Sequence, residues 1–357
     1  MLPLHAARHI LVFRALMLGD WLCASPALRA LRAGAPGAHI AVCGLPGTAE
    51  LARRWPAVDE FIEFPGHPRL PERLPAPGAF ERFVETMRER RFDLALQMHG
   101  SGGIVNDLVA SLGALACAGF ATPDTQDSLD LAVPWPERGN EIERCLALTD
   151  ALGAPRRGVH LDLPLTADDR RAAARVLSDA GIEPPFAIIH PGSQLPSRRW
   201  APERFAAVAD ALALRGWRTV ITGTTAEAGL AAAVRAASRE PPVDLCGRTA
   251  SLGALGALVE AASLLVANDT GLSHVAAAVG TRSVIVASGS DVQRWAPLDR
   301  RAHRVLWHAT PCRPCAHAIC PTAHECAEGV LPAAVAATAL ELLESTPCTI
   351  PSSACAS

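Results

Sequence analysis

Short apolar runs alternate with amphipathic helical stretches along most of the chain, and no other feature restricts the fold as strongly. Runs rich in Val, Ile, Leu and Phe predict buried strands, and the stretches between them carry apolar residues at helical spacing. This alternation is typical of βα units that build a parallel sheet. The predicted strands are His9–Arg14, His39–Cys43, Glu60–Phe64, Phe92–Met98, Phe186–His190, Thr219–Thr222, Val243–Cys246, Leu264–Ala267 and Ser283–Ala287. The predicted helices are Pro26–Ala33, Thr48–Arg54, Phe80–Arg90, Pro202–Arg215, Ala226–Ser238, Leu252–Ala262 and His274–Val279.

A stretch rich in glycine, proline and arginine, Gly153–Pro164, interrupts this alternation near the middle of the chain. The length of 357 residues also suits two domains, since one domain takes roughly 150 residues. We therefore predict an α/β protein with two Rossmann-like domains, residues 1–155 and 156–345, and a frayed tail, residues 346–357. Such domains bind ligands at the carboxyl ends of their strands, so a crevice there is the expected site.

The sequence contains no lysine, so all 33 basic residues are arginine. A lysine that binds phosphate in a Walker-A loop, forms a Schiff base or acts as a general base is therefore excluded. The net charge of −3, without a basic run, argues against a nucleic-acid partner. The dinucleotide-binding fingerprint is also missing, because Val105 stands where a third glycine would follow Gly100 and Gly102.

The chain shows no sign of export or of a membrane anchor. Arg14 breaks the first apolar stretch, and no small-residue cleavage site follows it. No window approaches the ~18 uninterrupted apolar residues of a membrane-spanning helix. We therefore expect a cytoplasmic protein in which most of the 11 cysteines are reduced.

Asp20 follows the first predicted strand after a short turn. Its carboxylate is expected at the mouth of the crevice, where it can accept the proton of an attacking hydroxyl as a general base. Gly19 permits a tight turn or the close approach of a ligand there. The alternative is that Asp20 only caps a helix that begins at Trp21 or Leu22.

A loop containing Ser193 follows the predicted strand that ends at His190, and it leads to Arg198, Arg199 and Trp200. Backbone amides in such a loop, together with a guanidinium fork, suit a phosphate or diphosphate group. The alternative is a solvated turn with a surface arginine pair and a buried tryptophan.

The segment after the strand Leu264–Ala267 gives the sharpest prediction of a binding site. Thr270, Gly271 and Leu272 would present backbone N–H groups at a helix N-terminus, which carries about half a positive charge. Asp269 precedes them, and His274 on the first turn can donate to a phosphate or to the acceptor. The alternative is an ordinary N-cap followed by a packed histidine.

Glu227 is a fourth candidate, because it follows the strand Thr219–Thr222 and the flexible Gly223. A carboxylate just after a strand can bind the two hydroxyls of a ribose, as acidic residues do in nucleotide-binding folds. Glu227 also suits the first turn of a helix, where the helix dipole favours an acid.

Four cysteines cluster near the end of the chain, with His317 and His324 among them. Their spacing is compatible with a tetrahedral metal site, although it does not match a standard zinc finger. A structural metal, disulfide or redox pairing, and a packed thiol-rich loop all remain open, whereas a catalytic zinc is not expected. The four are Cys312, Cys315, Cys320 and Cys326.

Taken together, these motifs resemble glycosyltransferase family 9, the ADP-heptose:lipopolysaccharide heptosyltransferases of Gram-negative bacteria. The resemblance covers roughly residues 9–330. It rests on LGDWLCASPALRALR, HPGS…RRWAPERFAAVADAL, NDTGLSHVAAAVGT and the trailing CRPC…C…HEC, in this order. The resemblance implies that Asp20 is the catalytic carboxylate and that Arg198 replaces the lysine of a K-x-W element. It places Glu227 at the ribose-binding acid and matches residues 269–274 to the D-T-G-L-x-H donor motif.

The resemblance further implies a GT-B fold, in which two Rossmann-like domains face each other across a central cleft. The first domain would mainly bind the acceptor, and the second would bind a nucleotide-diphosphate sugar. It implies an inverting enzyme that needs no divalent metal and transfers heptose from ADP-heptose to a lipid-linked saccharide of the lipopolysaccharide core. The alternatives are a nucleotide-sugar epimerase or hydrolase of the same fold and a non-catalytic sugar-nucleotide binding protein.

The lipid-linked acceptor also suggests peripheral contact with the inner membrane. Several arginines of the first domain would face anionic lipid there, or would simply lie on solvated helix faces. They are Arg29, Arg32, Arg53, Arg54, Arg88, Arg90 and Arg91.

Overall fold

In a computed structural model, which describes residues 3–345, the strands form two six-stranded sheets in which every pair is parallel. The predicted tail, residues 346–357, lies outside the described residues. The strands are β1 (His9–Phe13), β2 (His39–Gly44), β3 (Glu60–Glu63), β4 (Leu94–Gln97), β5 (Ala116–Ala121), β6 (Leu131–Pro134), β7 (Phe186–His190), β8 (Arg218–Ile221), β9 (Val243–Asp244), β10 (Leu264–Asn268), β11 (Ser283–Val286) and β12 (His303–Leu306).

The two sheets have the same topology. Their strand orders are β3-β2-β1-β4-β5-β6 and β12-β11-β10-β7-β8-β9. In each sheet the chain starts in the middle, builds out to one edge, and then returns to the middle to build out to the other. The direction of building therefore reverses between β1 and β4 and between β7 and β10, and ligands of such sheets bind at this switch point, beyond the carboxyl ends of the strands.

The helices lie mainly between successive strands, as the predicted alternation requires. They are α1 (Leu18–Gly34), α2 (Ala49–Arg54), α3 (Ala79–Glu89), α4 (Ile104–Ser111), α5 (Glu141–Ala151), α6 (Ala167–Asp179), α7 (Pro202–Ala213), α8 (Ala228–Ala237), α9 (Leu252–Ala261), α10 (Gly271–Val279), α11 (Val292–Trp295), α12 (Glu325–Glu328) and α13 (Pro332–Glu344). None of the helices within residues 3–345 is both long enough and apolar enough to cross a membrane.

The chain divides into two compact units, one for each sheet. Of the described residues, the first contains 3–166 together with Gln293–Ala296, and the second contains Ala167–Val292 and 297–345. The sequence predicts the boundary at 155/156, whereas residues 157–164 pack on the first unit. There the Asp162 carbonyl accepts from Trp55 Nε1 at 2.8 Å, and the Arg157 carbonyl accepts from Arg29 Nε at 3.1 Å.

Each unit buries its own apolar core. In the first, Leu11 and Phe13 of β1 pack with Ala41 of β2, Ala95 of β4 and residues of α4. In the second, β7, β10 and β11 pack against α7 and α13. The residues nearest the switch points therefore follow strands whose side chains lie in the apolar core of each unit.

Candidate functional site

Asp20 lies in the first turn of α1, just beyond the carboxyl end of β1. The helix begins at Leu18, earlier than the start at Trp21 or Leu22 that the capping alternative assumes. The Oδ2 atom of Asp20 accepts a hydrogen bond from the Met17 backbone N–H at 3.2 Å, so the carboxylate does cap its own helix. The side chain is nevertheless only half-buried, at the switch point of the first sheet.

A buried ion-pair network holds the backbone of Asp20. Arg14, only 1% exposed, donates from Nε to the Asp20 carbonyl at 3.0 Å. Its Nη2 atom pairs with Oε1 of Glu141 at 3.0 Å, and Arg294 Nε pairs with Oε2 of the same carboxylate at 2.9 Å. Burial by itself raises the pKa of Glu141, but Arg14 and Arg294 outweigh it, so this pKa lies below its usual value. Glu141 is therefore ionised and fixes Arg14 against Asp20.

In the second unit, α10 begins at Gly271 directly after β10, and its N-terminal amides lack a side-chain cap. Thr270 occupies the N-cap position, but its hydroxyl makes no capping hydrogen bond. Thr270 Oγ1 is buried and has no hydrogen-bond partner among residues 3–345. Threonine at this position normally caps, so the arrangement favours the predicted anion site over the ordinary N-cap.

Asn268, at the end of β10, joins this helix terminus to the loop that follows β7. Its Oδ1 atom accepts from the Trp200 N–H at 3.0 Å, and its Nδ2 atom donates to the Pro191 carbonyl at 2.8 Å. The indole of Trp200 is buried, as the alternative of a solvated turn expects. The loop of Ser193 and Arg198 is therefore tied to the segment 269–272, and sequence reasoning did not assign this role to Asn268.

Within residues 3–345, the guanidinium groups of Arg198 and Arg199 donate only to backbone carbonyls. Arg198 Nη2 donates to the Cys315 carbonyl, and Arg199 Nε donates to the Ser193 carbonyl at 2.9 Å. Neither guanidinium has a carboxylate within 4.0 Å in the described part of the chain. This edge of the unit therefore carries positive charge that the neighbouring side chains leave unpaired.

Glu227 lies against the same loop. A Cβ atom at Gly192 would approach Glu227 Oε1 to 2.1 Å, so a larger residue there would displace the carboxylate. The carboxylate accepts from the Thr224 N–H at 2.8 Å and from Thr224 Oγ1 at 2.9 Å. It therefore caps its own turn and also stands beside the loop after β7, as a ribose-binding acid would.

His274 is largely buried, although the sequence predicts that it contacts a ligand. It lies on the first helical turn of α10, but its side chain is packed inside the unit and only 4% exposed. Leu272 is also buried. The burial of both side chains leaves the backbone at 270–272 as the main surface of the motif for a ligand, and a ligand contact by His274 stays a prediction.

The cysteine loop, defined here as residues 308–326, carries four free thiols and no disulfide. Cys312 is exposed, Cys326 is buried and the other two are intermediate. Within residues 3–345, no three His, Cys, Asp or Glu side chains are arranged to hold a metal ion. The structural metal, the disulfide or redox pairing and the thiol-rich loop all stay predictions.

The structure brings all the predicted donor residues to one edge of the second sheet, whereas Asp20 belongs to the first unit. Sequence reasoning missed Arg14, Glu141 and Arg294, since buried pairs between distant positions leave no local pattern. The one signal in the sequence concerned Arg14, a charged residue at the end of a predicted strand that is otherwise apolar.

Comparison with known proteins gives a consistent result. A family model described as glycosyltransferase family 9 (heptosyltransferase) matches residues 80–325. Lipopolysaccharide heptosyltransferase 2 of Salmonella typhimurium is 28% identical over 310 residues, which is 82% of this chain and 86% of that protein. Lipopolysaccharide heptosyltransferase 3 of Escherichia coli is 24% identical over 287 residues, covering 78% of this chain and 83% of that protein.

The fold also matches a solved structure. The E. coli ADP-heptose lipopolysaccharide heptosyltransferase II superposes with a TM-score of 0.74 at 21% identity, covering 94% of this chain and 98% of that one. At this level of identity the likeness establishes the fold, and it agrees with the two-domain α/β architecture predicted from the sequence.

Proposed function

Because the chain belongs to glycosyltransferase family 9, the heptosyltransferase family, we propose that it transfers heptose from ADP-heptose to a sugar of the lipopolysaccharide core. It is a glycosyltransferase; the proposal concerns the donor, the acceptor and the residues that act. The observation that carries it is the uncapped N-terminus of α10, beside Arg198 at the switch point of the second sheet. An anion cradle of this kind suits the diphosphate of a nucleotide sugar.

In the proposed reaction, an acceptor hydroxyl oxygen forms a bond to the anomeric carbon while the bond from that carbon to the diphosphate breaks. Attack from the face opposite the leaving group inverts the configuration. Asp20 takes the hydroxyl proton, and ADP leaves with the bonding electron pair. The roles match the chemistry of the groups, since a carboxylate is a base and the amides of Gly271 and Leu272 stabilise negative charge.

Arg14 and Glu141 serve this reaction as positioning residues. A guanidinium on the Asp20 carbonyl fixes the first turn of α1, and the buried Glu141 fixes the guanidinium. The position of the base relative to the acceptor hydroxyl is therefore restricted. This matters because a displacement of about 1 Å can lower the rate on the order of 10²-fold.

We propose that transfer needs no divalent metal. The N-terminus of α10 carries the partial positive charge of the helix dipole, and the guanidinium groups of Arg198 and Arg199 are cations. All three lie at the edge of the second sheet where the diphosphate would bind. Such preorganised charge does for the leaving group what a metal ion does in other transferases.

A cytoplasmic location and peripheral contact with the inner membrane belong to the same proposal. Free buried thiols such as Cys23, Cys43 and Cys145 suit a reducing compartment. The acceptor is lipid-linked in this proposal, so the enzyme would meet it at a membrane surface.

The test is a transfer assay with ADP-heptose and a heptose-deficient lipopolysaccharide core, run in EDTA. Asp20→Asn is expected to lower kcat about 10³-fold, since general bases contribute roughly 10²–10⁴-fold, and to leave ADP affinity within about twofold. Asp179→Asn, an exposed carboxylate at the end of α6, is the matched control and should keep full activity.

Three outcomes would contradict the proposal. Release of free heptose without acceptor would indicate a hydrolase. Full activity of Asp20→Asn would exclude Asp20 as the base. Loss of transfer in EDTA that Mg²⁺ restores would exclude a metal-independent reaction.

A further inference from the structure

We propose that Arg313, carried by the cysteine loop, is a second binding residue for the donor diphosphate, alongside Arg198. This inference rests on the proposed function, because it takes a nucleoside diphosphate as the ligand of this edge. It was not visible in the sequence, where Arg313 is simply the residue between Cys312 and Pro314.

The cysteine loop is docked on the side of the edge that carries Arg198. The Ser197 N–H donates to the Ala318 carbonyl at 3.0 Å, and Ser197 Oγ donates to the His317 carbonyl at 2.5 Å. His324 Nε2 lies 2.9 Å from the Ser197 carbonyl. The Cys315 carbonyl accepts from Arg198 itself, so loop and arginine form one assembly.

The same loop is docked on the residues that follow β11. The Cys315 N–H donates to the Gly289 carbonyl at 2.7 Å. Arg313 donates from Nη1 to the Ser290 carbonyl at 2.5 Å and from Nη2 to the Ala287 carbonyl at 2.6 Å. Since β10 and β11 are neighbours, Arg313 is held at the strand ends that also carry the segment 269–272.

Arg313 is an unusual cation in this chain. It is partly buried, its guanidinium carbon lies 5.4 Å from the ring centre of Trp307, and it donates to the neutral carbonyls of Ser290 and Ala287. No carboxylate of the described residues lies within 4.0 Å of its guanidinium. Burial lowers the pKa of Arg313 and nearby Arg198 lowers it further, although Cys326 and Asp269 oppose these effects. An arginine stays protonated in spite of this, so the charge remains and needs an anion.

Unpaired polar atoms lie in the segments that follow β10 and β11, where Arg313 is docked. Buried side-chain atoms that find no hydrogen-bond partner within residues 3–345 include Thr270 Oγ1, Ser288 Oγ, Ser290 Oγ and Arg313 Nε. Buried polar groups are almost always satisfied, so such a group of exceptions indicates a missing partner. A diphosphate brings several acceptor oxygens and multiple negative charges, and it would meet the needs of Arg198, Arg313 and the α10 terminus together.

The experiment compares the binding of ADP and AMP to the full chain by isothermal titration calorimetry. Arg313→Gln removes the charge, Arg313→Lys keeps it, and Arg215→Gln removes an exposed charge at the opposite end of β8 as a matched control. We expect Arg313→Gln to raise the Kd of ADP about tenfold, which corresponds to about 1.4 kcal/mol of binding free energy. The Kd of AMP should rise less than threefold. Arg313→Lys should lie between, and Arg215→Gln should match the wild type.

The ratio of ADP to AMP affinity separates a charge effect from a structural one. A displaced loop would weaken both nucleotides equally, and that result would overturn the inference, as would unchanged ADP binding by Arg313→Gln. If the wild type bound neither ADP nor another nucleoside diphosphate, the proposed function would fall as well, so the two failures are distinguishable.

Discussion

Glu141 is the buried carboxylate on which three guanidinium groups converge. It is 3% exposed, and besides Arg14 and Arg294 it has Arg144 Nη1 at 3.5 Å from Oε2. A buried ion pair contributes little relative to an apolar pair, but the loss of one partner leaves the other charge buried and uncompensated. The network therefore makes the first unit sensitive to a single substitution.

We expect Glu141→Gln to lower the free energy of unfolding by about 3 kcal/mol, because Arg14 would keep its buried charge without a counter-ion. Glu143→Gln, on the same helix, is the control. Its partner Arg156 is 43% exposed, so that surface pair contributes less than about 1 kcal/mol. Urea unfolding followed by circular dichroism measures both, and similar losses in the two variants would contradict this account.

At the scale of single residues, sequence patterns pointed to candidate ligand-binding groups such as Asp20 and Arg198. They did not point to the buried residues that hold such groups in place, such as Arg14 and Glu141. Asp20 follows a strand of the first sheet, and Arg198 and the segment 269–272 follow strands of the second; each parallel sheet collects such residues at the edge beyond its strand ends. Arg14 and Glu141 lie 127 positions apart, so nothing local in the sequence joins them. The burial of His274 was also undetermined, because a first-turn histidine can point either way.

Among the elements, β11 and β12 are held together by a side-chain pair at their first residues. Ser283 and His303 are register partners, and Ser283 Oγ lies 2.8 Å from His303 Nδ1. Burial lowers the pKa of His303 to about 4, although Asp299 opposes the shift. The folded protein therefore keeps this imidazole neutral at a pH where an unfolded chain would protonate it.

This predicts a loss of stability on acidification. Between pH 6.5 and about 4 the unfolded chain binds the proton of His303 and the folded protein does not, so the free energy of unfolding falls as the pH falls. The full effect is on the order of 3 kcal/mol. His303→Leu/Ser283→Ala removes both partners and should flatten the pH dependence by about that amount in urea unfolding. Parallel pH curves for the two proteins would rule out His303 as the cause.

Three of the elements that the sequence failed to predict are strands, and each has a physical reason. β5 (ACAGFA) consists of small residues that suit a helix equally well, β6 ends in Pro134 and β12 contains His303 and Arg304, as edge strands often do. The predicted start of the first helix at Pro26 was wrong. Proline normally marks a first turn, but here it lies inside α1, which begins at Leu18.

At the scale of the whole molecule, the exposed charge of the first unit determines how strongly the protein is attracted to an anionic membrane. Of the seven arginines considered, four form ion pairs with carboxylates: Arg29 with Asp162, Arg32 with Asp59, Arg54 with Glu50, and Arg90 with Glu60. Their charge is largely compensated. Any attraction to anionic lipid must come mainly from the rest, Arg53, Arg88 and Arg91.

We therefore expect weak flotation with vesicles that contain phosphatidylglycerol and none with phosphatidylcholine alone. Binding should disappear by about 0.5 M salt, because added ions screen charges at an exposed surface. Arg88→Glu/Arg91→Glu should reduce it, and Arg239→Glu in the second unit should not. If equal amounts of protein floated with both kinds of vesicle, electrostatic attraction to anionic lipid would be excluded.

Residues 293–296 make the first unit discontinuous in the chain. Arg294 lies 5.8 Å from the ring centre of Trp135, and the Ala296 carbonyl accepts from Asn140 Nδ2 at 2.8 Å. A gene fragment that stops at residue 166 would consequently omit part of the unit that it was meant to encode. Anyone who builds chimaeras by exchanging halves between relatives would need to transplant this tetrapeptide with the N-terminal half, although it is encoded far downstream.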